Sequence, residues 1–406
     1  MKTFCLLFLF LPAFMHAQII TPTYANVSYV NDTSIKHKMD VFIPPGVNSA
    51  LPCVVHIHGG GFGAGQKGEA LPSLYYPSGT TFCDSLYYHG YVIADINYRL
   101  SSDTLFPGPV YDCKTAIRFL RMNAETYFVD TCKMGVIGES AGGYFVDILG
   151  TSGDVSSLEG KHLGSGEVTS RVQAVLSMYA TTDFNYFDTY YPNIPPDSCS
   201  PYPCCWNDNI NNPIGKFLGC SISSCPELVA QSSVLTYIDG NEPPFDIWHG
   251  TKDCTVPPIQ SLLLYDSLIV HGGDAVWHSI LHGTHSDASF FTDSFRHNVR
   301  VFFDAKLMNG EGCQPTSENN FPFHSGIKIF PNPASDMVHV KVSSPCNQPF
   351  VFCVFGLLGN EIASYHFLSQ NIFSFPTKNY RSGIYFYRAT NPINGENLNG
   401  KLTISK

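Results

Sequence analysis

Short apolar runs alternating with helix-like stretches between residues 25 and 305 predict an α/β domain with a mostly parallel central sheet. Beyond residue 325, seven strand-like runs separated by turn residues predict a small all-β sandwich. Between the two, residues 309–325 (NGEGCQPTSENNFPFHS) are polar and turn-rich, as a linker is.

The chain opens on MKTFCLLFLFLPAFMHAQ, with Lys2 as a short positive region, an apolar stretch over 4–14 and the small residue Ala17. These features predict a cleaved secretory leader over residues 1–17, too short to span a bilayer. No later apolar run reaches spanning length, so no transmembrane segment is expected once the leader is gone. The domain expected over 18–308 then begins with HKMDVFIP, read as an early edge strand. PCVVHIH, YVIADINY, KMGVIG, VQAVLSMY, PPFDIWHG and DAVWHSIL are short apolar runs, as expected of strands buried on both faces. Cys113, Ala116, Ile117 and Leu120 recur at helical spacing and predict a helix with one apolar face. A second helix is expected over 259–270, just after Pro257-Pro258.

Residues 181–230 interrupt this rhythm with Tyr, Asn, Pro and Cys, and predict an insert or lid. The chain has 14 cysteines; the leader takes Cys5 and leaves thirteen, of which Cys199, Cys204, Cys205, Cys220 and Cys225 fall in the insert. In an exported chain, disulfides are the expectation. A zinc site would need paired CxxC arms or nearby histidines, and the spacing supplies neither. Seven aromatic residues of the insert, among them Phe184 and Tyr186, either line a substrate pocket or pack on one another. The terminal domain is expected over 326–406, with strands in GIKIF, MVHVKV, FVFCVFG, IASYHF, IFSF, GIYFYRA and KLTIS.

Net charge is -10, and the 23 Lys and Arg form no run, which excludes the basic footprint of a nucleic-acid partner. Chemistry concentrates in VIGESAGGYF, residues 136–145. A Gly-x-Ser-x-Gly string alone arises by chance in about one chain in eight of this length. Here, however, strand formers precede Ser140 and helix formers follow it, the setting of a nucleophile elbow. Gly138 and Gly142, lacking side chains, would let the chain turn sharply and project Ser140 Oγ from the sheet.

A serine hydroxyl needs a base, and the acid and base follow the serine in this arrangement. Asp253 in WHGTKDCTVP and His285 in LHGTHSD each sit in a loop directly after a predicted strand, at the same sheet edge as Ser140. His278 alternates within a strand and His282 precedes the turn, so His285 is the expected base. Asp246 lies inside a strand and Asp287 too near the histidine, so Asp253 is the expected acid. Its structural alternative is a loop carboxylate capping the next helix. The glycines of VHIHGGGF would bring bare backbone to the reacting carbon, and the N–H groups of Gly60, Gly61 and Ala141 are the expected oxyanion donors. His58 is expected to brace this loop. A P-loop is excluded because no Lys-Ser/Thr ending follows.

With these residues assembled, MDVFIPPG, VVHIHGGGFGAG, VIADINYRLS, DCKTAIRFLRMNAETYFVD, VIGESAGG, PPFDIWHGTKDCTVP and LHGTHSD resemble the α/β-hydrolase family over most of residues 36–305. The resemblance is to its HGGG-type esterase/lipase branch and, within it, to secreted feruloyl- and acetyl-esterase-like members. It implies a Ser140–Asp253–His285 triad, an acyl-enzyme route without metal or organic cofactor, and carbohydrate acyl esters as substrates. IKIFPNPASD, LLGNEI, SGIYFYRAT and GKLTISK resemble a C-terminal sorting domain of type IX secretion. That likeness implies the type IX machinery as partner, and a secreted or cell-surface location reached through the periplasm and across a bacterial outer membrane. Two functions compete. A peptidase or amidase would use the same triad, although no propeller-like repeat precedes the domain. A non-catalytic surface-binding protein on a hydrolase scaffold would usually lack a triad member, and all three are present here. For the terminal domain the competitor is a carbohydrate-binding module using Tyr385 and Tyr387.

Overall fold

A computed structural model describes residues 19–71, 82–153, 155–166, 168–186, 207–310, 327–342, 350–356, 361–367, 372–390 and 397–406. The expected leader, most of the linker and Cys199, Cys204 and Cys205 lie outside the described residues.

Eight strands form one sheet: β1 (Tyr24–Ser28), β2 (Lys38–Phe42), β3 (Leu51–Ile57), β4 (Val92–Ile96), β5 (Val129–Glu139), β6 (Ala174–Met178), β7 (Phe245–Gly250) and β8 (Ala275–Ile280). Their order is β1-β2-β4-β3-β5-β6-β7-β8. The β1–β2 and β2–β4 pairs are antiparallel and every later pair is parallel. The α/β domain with a mostly parallel sheet is therefore as the apolar runs predict. One strand differs. HKMDVFIP forms β2, which is second in the sheet, and β1 covers its outer edge. Three of the five β1 residues are exposed and the other two half-buried, so its sequence carries no burial signal.

Alternating side chains explain why apolar residues fill both faces of the inner strands. Cys53, Val55 and Ile57 of β3 enter one core and Val54 the other. The first core is closed by α2 (Gly108–Met122), α3 (Ala141–Thr151) and α4 (Ile259–Val270); the second by α1 (Asp84–Tyr88) and α5 (Asp293–Phe303). Cys113, Ala116, Ile117 and Leu120 all face the first core, as their spacing predicts. The helix expected after Pro257-Pro258 is α4, with the predicted bounds.

The described parts of residues 181–230 hold two short helices, Pro213–Leu218 and Pro226–Ser232, and a Cys220–Cys225 disulfide. Phe184 and Phe217 are fully buried, Phe217 stacking on Phe62 at 4.3 Å and Phe184 on Tyr144 at 5.4 Å. Of the two expectations for Phe184, packing is what the structure contains. The other insert aromatics lie outside the described side chains.

All seven terminal strands form: β9 (Ile327–Phe330), β10 (Met337–Val342), β11 (Phe350–Phe355), β12 (Glu361–Phe367), β13 (Ile372–Pro376), β14 (Gly383–Thr390) and β15 (Asn397–Ile404). They make antiparallel sheets β13-β10-β9 and β12-β11-β14-β15. Val338, Val340 and Phe375 of one sheet meet Phe352, Val354, Ala389 and Leu402 of the other, which is a sandwich core. Tyr385 and Tyr387 pack on Tyr380 and Phe352 at 5.2 and 5.0 Å, so neither ring stands out as a sugar platform.

The first turn of α3 lies against the end of β3. A Cβ on Gly142 would fall 1.9 Å from the Ile57 carbonyl oxygen, a contact only glycine avoids. Gly142→Ala is expected to cost at least about 3 kcal/mol, the upper end of overpacking, because the obstacle is backbone. Urea unfolding would measure it, and an unchanged midpoint would refute the close approach.

Candidate active site

Strand β5 ends at Glu139 and α3 begins at Ala141, leaving Ser140 alone to make the turn. Its backbone sits at φ 54 and ψ -117, a conformation that costs a non-glycine residue about 1–3 kcal/mol. Its N–H is held by the Met178 carbonyl at 2.9 Å, so the neighbouring strand anchors the strained residue. The side chain is half-buried and the α3 N-terminus starts at the next residue, a place that favours developing negative charge.

Asp253 and His285 follow β7 and β8, and their loops converge on Ser140. His285 Nε2 lies 3.0 Å from Ser140 Oγ, and His285 Nδ1 lies 2.7 Å from Asp253 Oδ2. With Nδ1–H donating to the carboxylate, Nε2 is free to accept the serine proton. The Asp253 side chain is fully buried, while that of His285 is 20% exposed. Tyr179 meets the imidazole edge-on at 4.8 Å and limits its movement.

Each oxygen of Asp253 has its own task. Oδ1 accepts from the N–H groups of Thr255 and Val256 at 2.8 and 2.9 Å, which closes the loop turn; the next helix begins after Pro258 with no side-chain cap, so Asp253 does not cap it. Oδ2 is shared between His285 and the buried His249, whose Nε2 lies at 3.3 Å. His249 Nε2–H also donates to the Val256 carbonyl at 2.9 Å, and its Nδ1 accepts from the Ser261 hydroxyl at 2.7 Å. Burial raises the Asp253 pKa, but the hydrogen bonds from His249 and His285 outweigh it and hold the carboxyl at about 2. Sequence reasoning missed His249. Its signal was a second polar residue, beside Asp246, inside the strand run PPFDIWHG.

The glycine loop follows β3 at the same edge. Gly60 has φ 112, and a Cβ there would meet the Ala64 carbonyl oxygen at 2.3 Å. Its carbonyl accepts from Gly63 and Ala64 N–H, which closes a tight turn. The Gly60 and Gly61 N–H groups have no acceptor among the described residues. His58 donates from Nδ1 to the Gly59 carbonyl at 2.7 Å and stacks on Tyr98 at 4.4 Å, in keeping with a bracing position.

The rejected candidates point elsewhere. His278 pairs with Asp246 at 2.8 Å and stacks on Trp248 at 4.0 Å, away from the serine. Asp287 caps the following turn through the Ser289 N–H. Among the described residues, no cluster of three or more His, Cys, Asp or Glu is disposed to hold a metal ion.

Residues 39–268 match the BD-FAE family, and residues 328–404 match the secretion system C-terminal sorting domain. Over 42% of its length the chain is 27% identical to the esterase LipC of Mycobacterium tuberculosis. It spans 39% to 51% of the length of the curated relatives it first matches. A truncated carbohydrate esterase from gut microbiota superposes with TM-score 0.60 at 23% identity, covering 70% of this chain and 96% of that one. A bifunctional GH43-CE of Bacteroides eggerthii gives TM-score 0.60 at 26% identity, covering 70% of this chain and 35% of that one.

The lowered Asp253 pKa couples this site to acid stability. Folding moves the carboxyl from 3.8 to about 2, so unfolding takes up a proton when the pH falls below 3.8. The contribution is complete above that value and is lost as the pH falls through 2. Between pH 4 and 2, wild-type unfolding free energy should drop more steeply than that of Asp253→Asn; parallel slopes in urea melts would contradict the assignment.

Proposed function

The chain belongs to the BD-FAE family and has the α/β-hydrolase fold, and from that premise we propose that it is an exported serine hydrolase of carboxylic esters. The observation that carries this is the unbroken series Ser140 Oγ, His285 imidazole and Asp253 carboxylate, at 3.0 and 2.7 Å. In the first half-reaction His285 Nε2 takes the Ser140 proton as Oγ attacks the ester carbonyl. The oxygen that gains charge is received by the N–H groups of Gly60, Gly61 and Ala141; losing one such donor costs about 2.7–4 kcal/mol of barrier. His285 then returns the proton to the departing alkoxide, leaving an acyl-Ser140 ester. In the second half a water replaces the alcohol, its proton passing to His285 and then back to Ser140 as the acid leaves. Asp253 keeps its charge throughout and steadies the imidazolium.

Carbohydrate acyl esters, acetyl or feruloyl, are the proposed substrates. The resemblance of VVHIHGGGFGAG, VIGESAGG and LHGTHSD to feruloyl- and acetyl-esterase-like sequences supports that class, and so does the location. The terminal sorting domain marks the chain for type IX export, to the cell surface or beyond it, where polysaccharide esters are met. No helix among the described residues is long and apolar enough to cross a membrane.

Purified protein is expected to release nitrophenol from short acyl esters. Ser140→Ala should reduce turnover to background while leaving the thermal midpoint within about 2 °C, as a one-atom change off the core allows. Equal turnover by the two proteins would remove Ser140 from the chemistry. For the substrate class, release of acetate from acetylated xylan or ferulate from feruloylated arabinoxylan should exceed release from simple butyrate esters; the reverse order would reject carbohydrate esters.

A further inference from the structure

Beneath the glycine loop lies a second set of ionisable residues that takes no part in the steps above. His56, Asp95 and Glu139 stand on three neighbouring strands, β3, β4 and β5. His56 is in register with Asp95 on one side and with Ile137 on the other, and Glu139 lies two residues beyond Ile137 on the same face. His56 Nδ1 meets Asp95 Oδ1 at 2.9 Å, and His56 Nε2 meets Glu139 Oε2 at 3.1 Å. His56 and Asp95 are fully buried and Glu139 is 7% exposed.

An imidazole with a carboxylate at each nitrogen donates twice only as the imidazolium. Burial lowers the His56 pKa, but the charges of Glu139 and Asp95 outweigh it and raise the value well above the ordinary one. For Asp95, burial raises the pKa, while His56 and two backbone N–H groups bring it below the ordinary value. Three buried charges are a poor way to gain stability, since apolar side chains of similar volume usually serve as well or better. The reason for them here lies in what the remaining carboxylate oxygens hold. Glu139 Oε1 accepts the Gly59 N–H at 2.7 Å. Asp95 Oδ2 accepts the N–H groups of Gly68 and Ala70 at 2.6 and 3.2 Å. Both feet of the loop that carries Gly60 and Gly61 are thus fastened to one ladder, and Glu139 is also the residue that leads into Ser140.

We propose that the Asp95–His56–Glu139 ladder is a positioning device for the oxyanion loop, setting the distance between the Gly60 and Gly61 N–H groups and Ser140 Oγ. It deepens the ester-hydrolase reading and rests on it. The ladder touches no substrate; it acts through the loop, and the transition state is where its effect is felt, because only there does the oxygen carry charge.

Glu139→Ala releases the near foot, and Glu139→Gln keeps an acceptor for Gly59. Rates on nitrophenyl acetate are to be expressed per active serine, counted by stoichiometric labelling with a phosphonate ester. Glu139→Ala is expected to lose about 10²-fold in kcat, the cost of misplacing reacting groups by about 1 Å, with KM within about twofold. Binding of a boronic acid, which mimics the tetrahedral adduct, should weaken in proportion, and Glu139→Gln should recover most of the loss. Unchanged kcat per serine in Glu139→Ala, or a loss seen only as fewer reactive serines, would overturn the proposal. If Glu139→Ala does not accumulate as folded protein, Asp95→Ala, which removes the acceptor of the far foot from a strand that does not carry Ser140, decides by the same criteria. Ser140→Ala run in parallel separates the two ideas. Turnover equal to wild type there would sink the serine mechanism, whereas a dead Ser140→Ala beside a fully active Glu139→Ala would sink the ladder alone.

Discussion

The contact between the first turn of α3 and the end of β3 is the constraint from which the site follows. Gly142 leaves no room for a methyl group against the Ile57 carbonyl, so the elbow at Ser140 and the loop beginning at His58 are pressed together. That proximity sets Gly59 against the elbow, where an added Cβ would meet the Glu139 carbonyl oxygen at 3.0 Å. It also leaves Ser140 in a backbone conformation it would not choose, anchored by Met178 on the next strand. Strain at one residue is tolerated because β3, β5 and β6 are fixed on both faces by two separate cores.

Charge is buried around this point in two arrangements with different consequences. Asp253 is surrounded by donors: two backbone N–H groups on one oxygen and two histidines at the other. An acid so supplied stays ionised, and it keeps its orientation because the groups that cap its turn cannot move independently of β7. The Asp95–His56–Glu139 ladder instead alternates signs across three strands, and its spare oxygens reach upward to the loop. The first arrangement faces the imidazole, the second the glycines, and both lie at the C-terminal edge of the sheet.

The insert and the terminal domain show how stability is found where periodic patterning is absent. Phe184 and Phe217 extend the aromatic core of Phe62, Tyr144 and Phe145, and a disulfide closes the short segment between Cys220 and Cys225. Cys254, beside the acid, is disulfide-bonded as well. The sandwich has a core of its own, formed where its two sheets face each other.

Much of this was legible in the linear order of residues. Strand runs, the α2 and α4 faces, the seven terminal strands and the loop positions of Ser140, Asp253 and His285 all follow from local pattern, since period and turn chemistry are properties of neighbours in the chain. What escaped was non-local. β1 buries too little of itself to be seen without its partner β2. His249, His56, Asp95 and Glu139 looked like isolated polar residues in apolar runs, and only strand register told which of them would meet. The amino-acid order by itself determined which elements form and at which sheet edge the reactive groups emerge. The tertiary structure alone decided how near those groups come and which buried polar groups pair with one another, because ångström distances between strands are set by the packing of both cores and by no single segment.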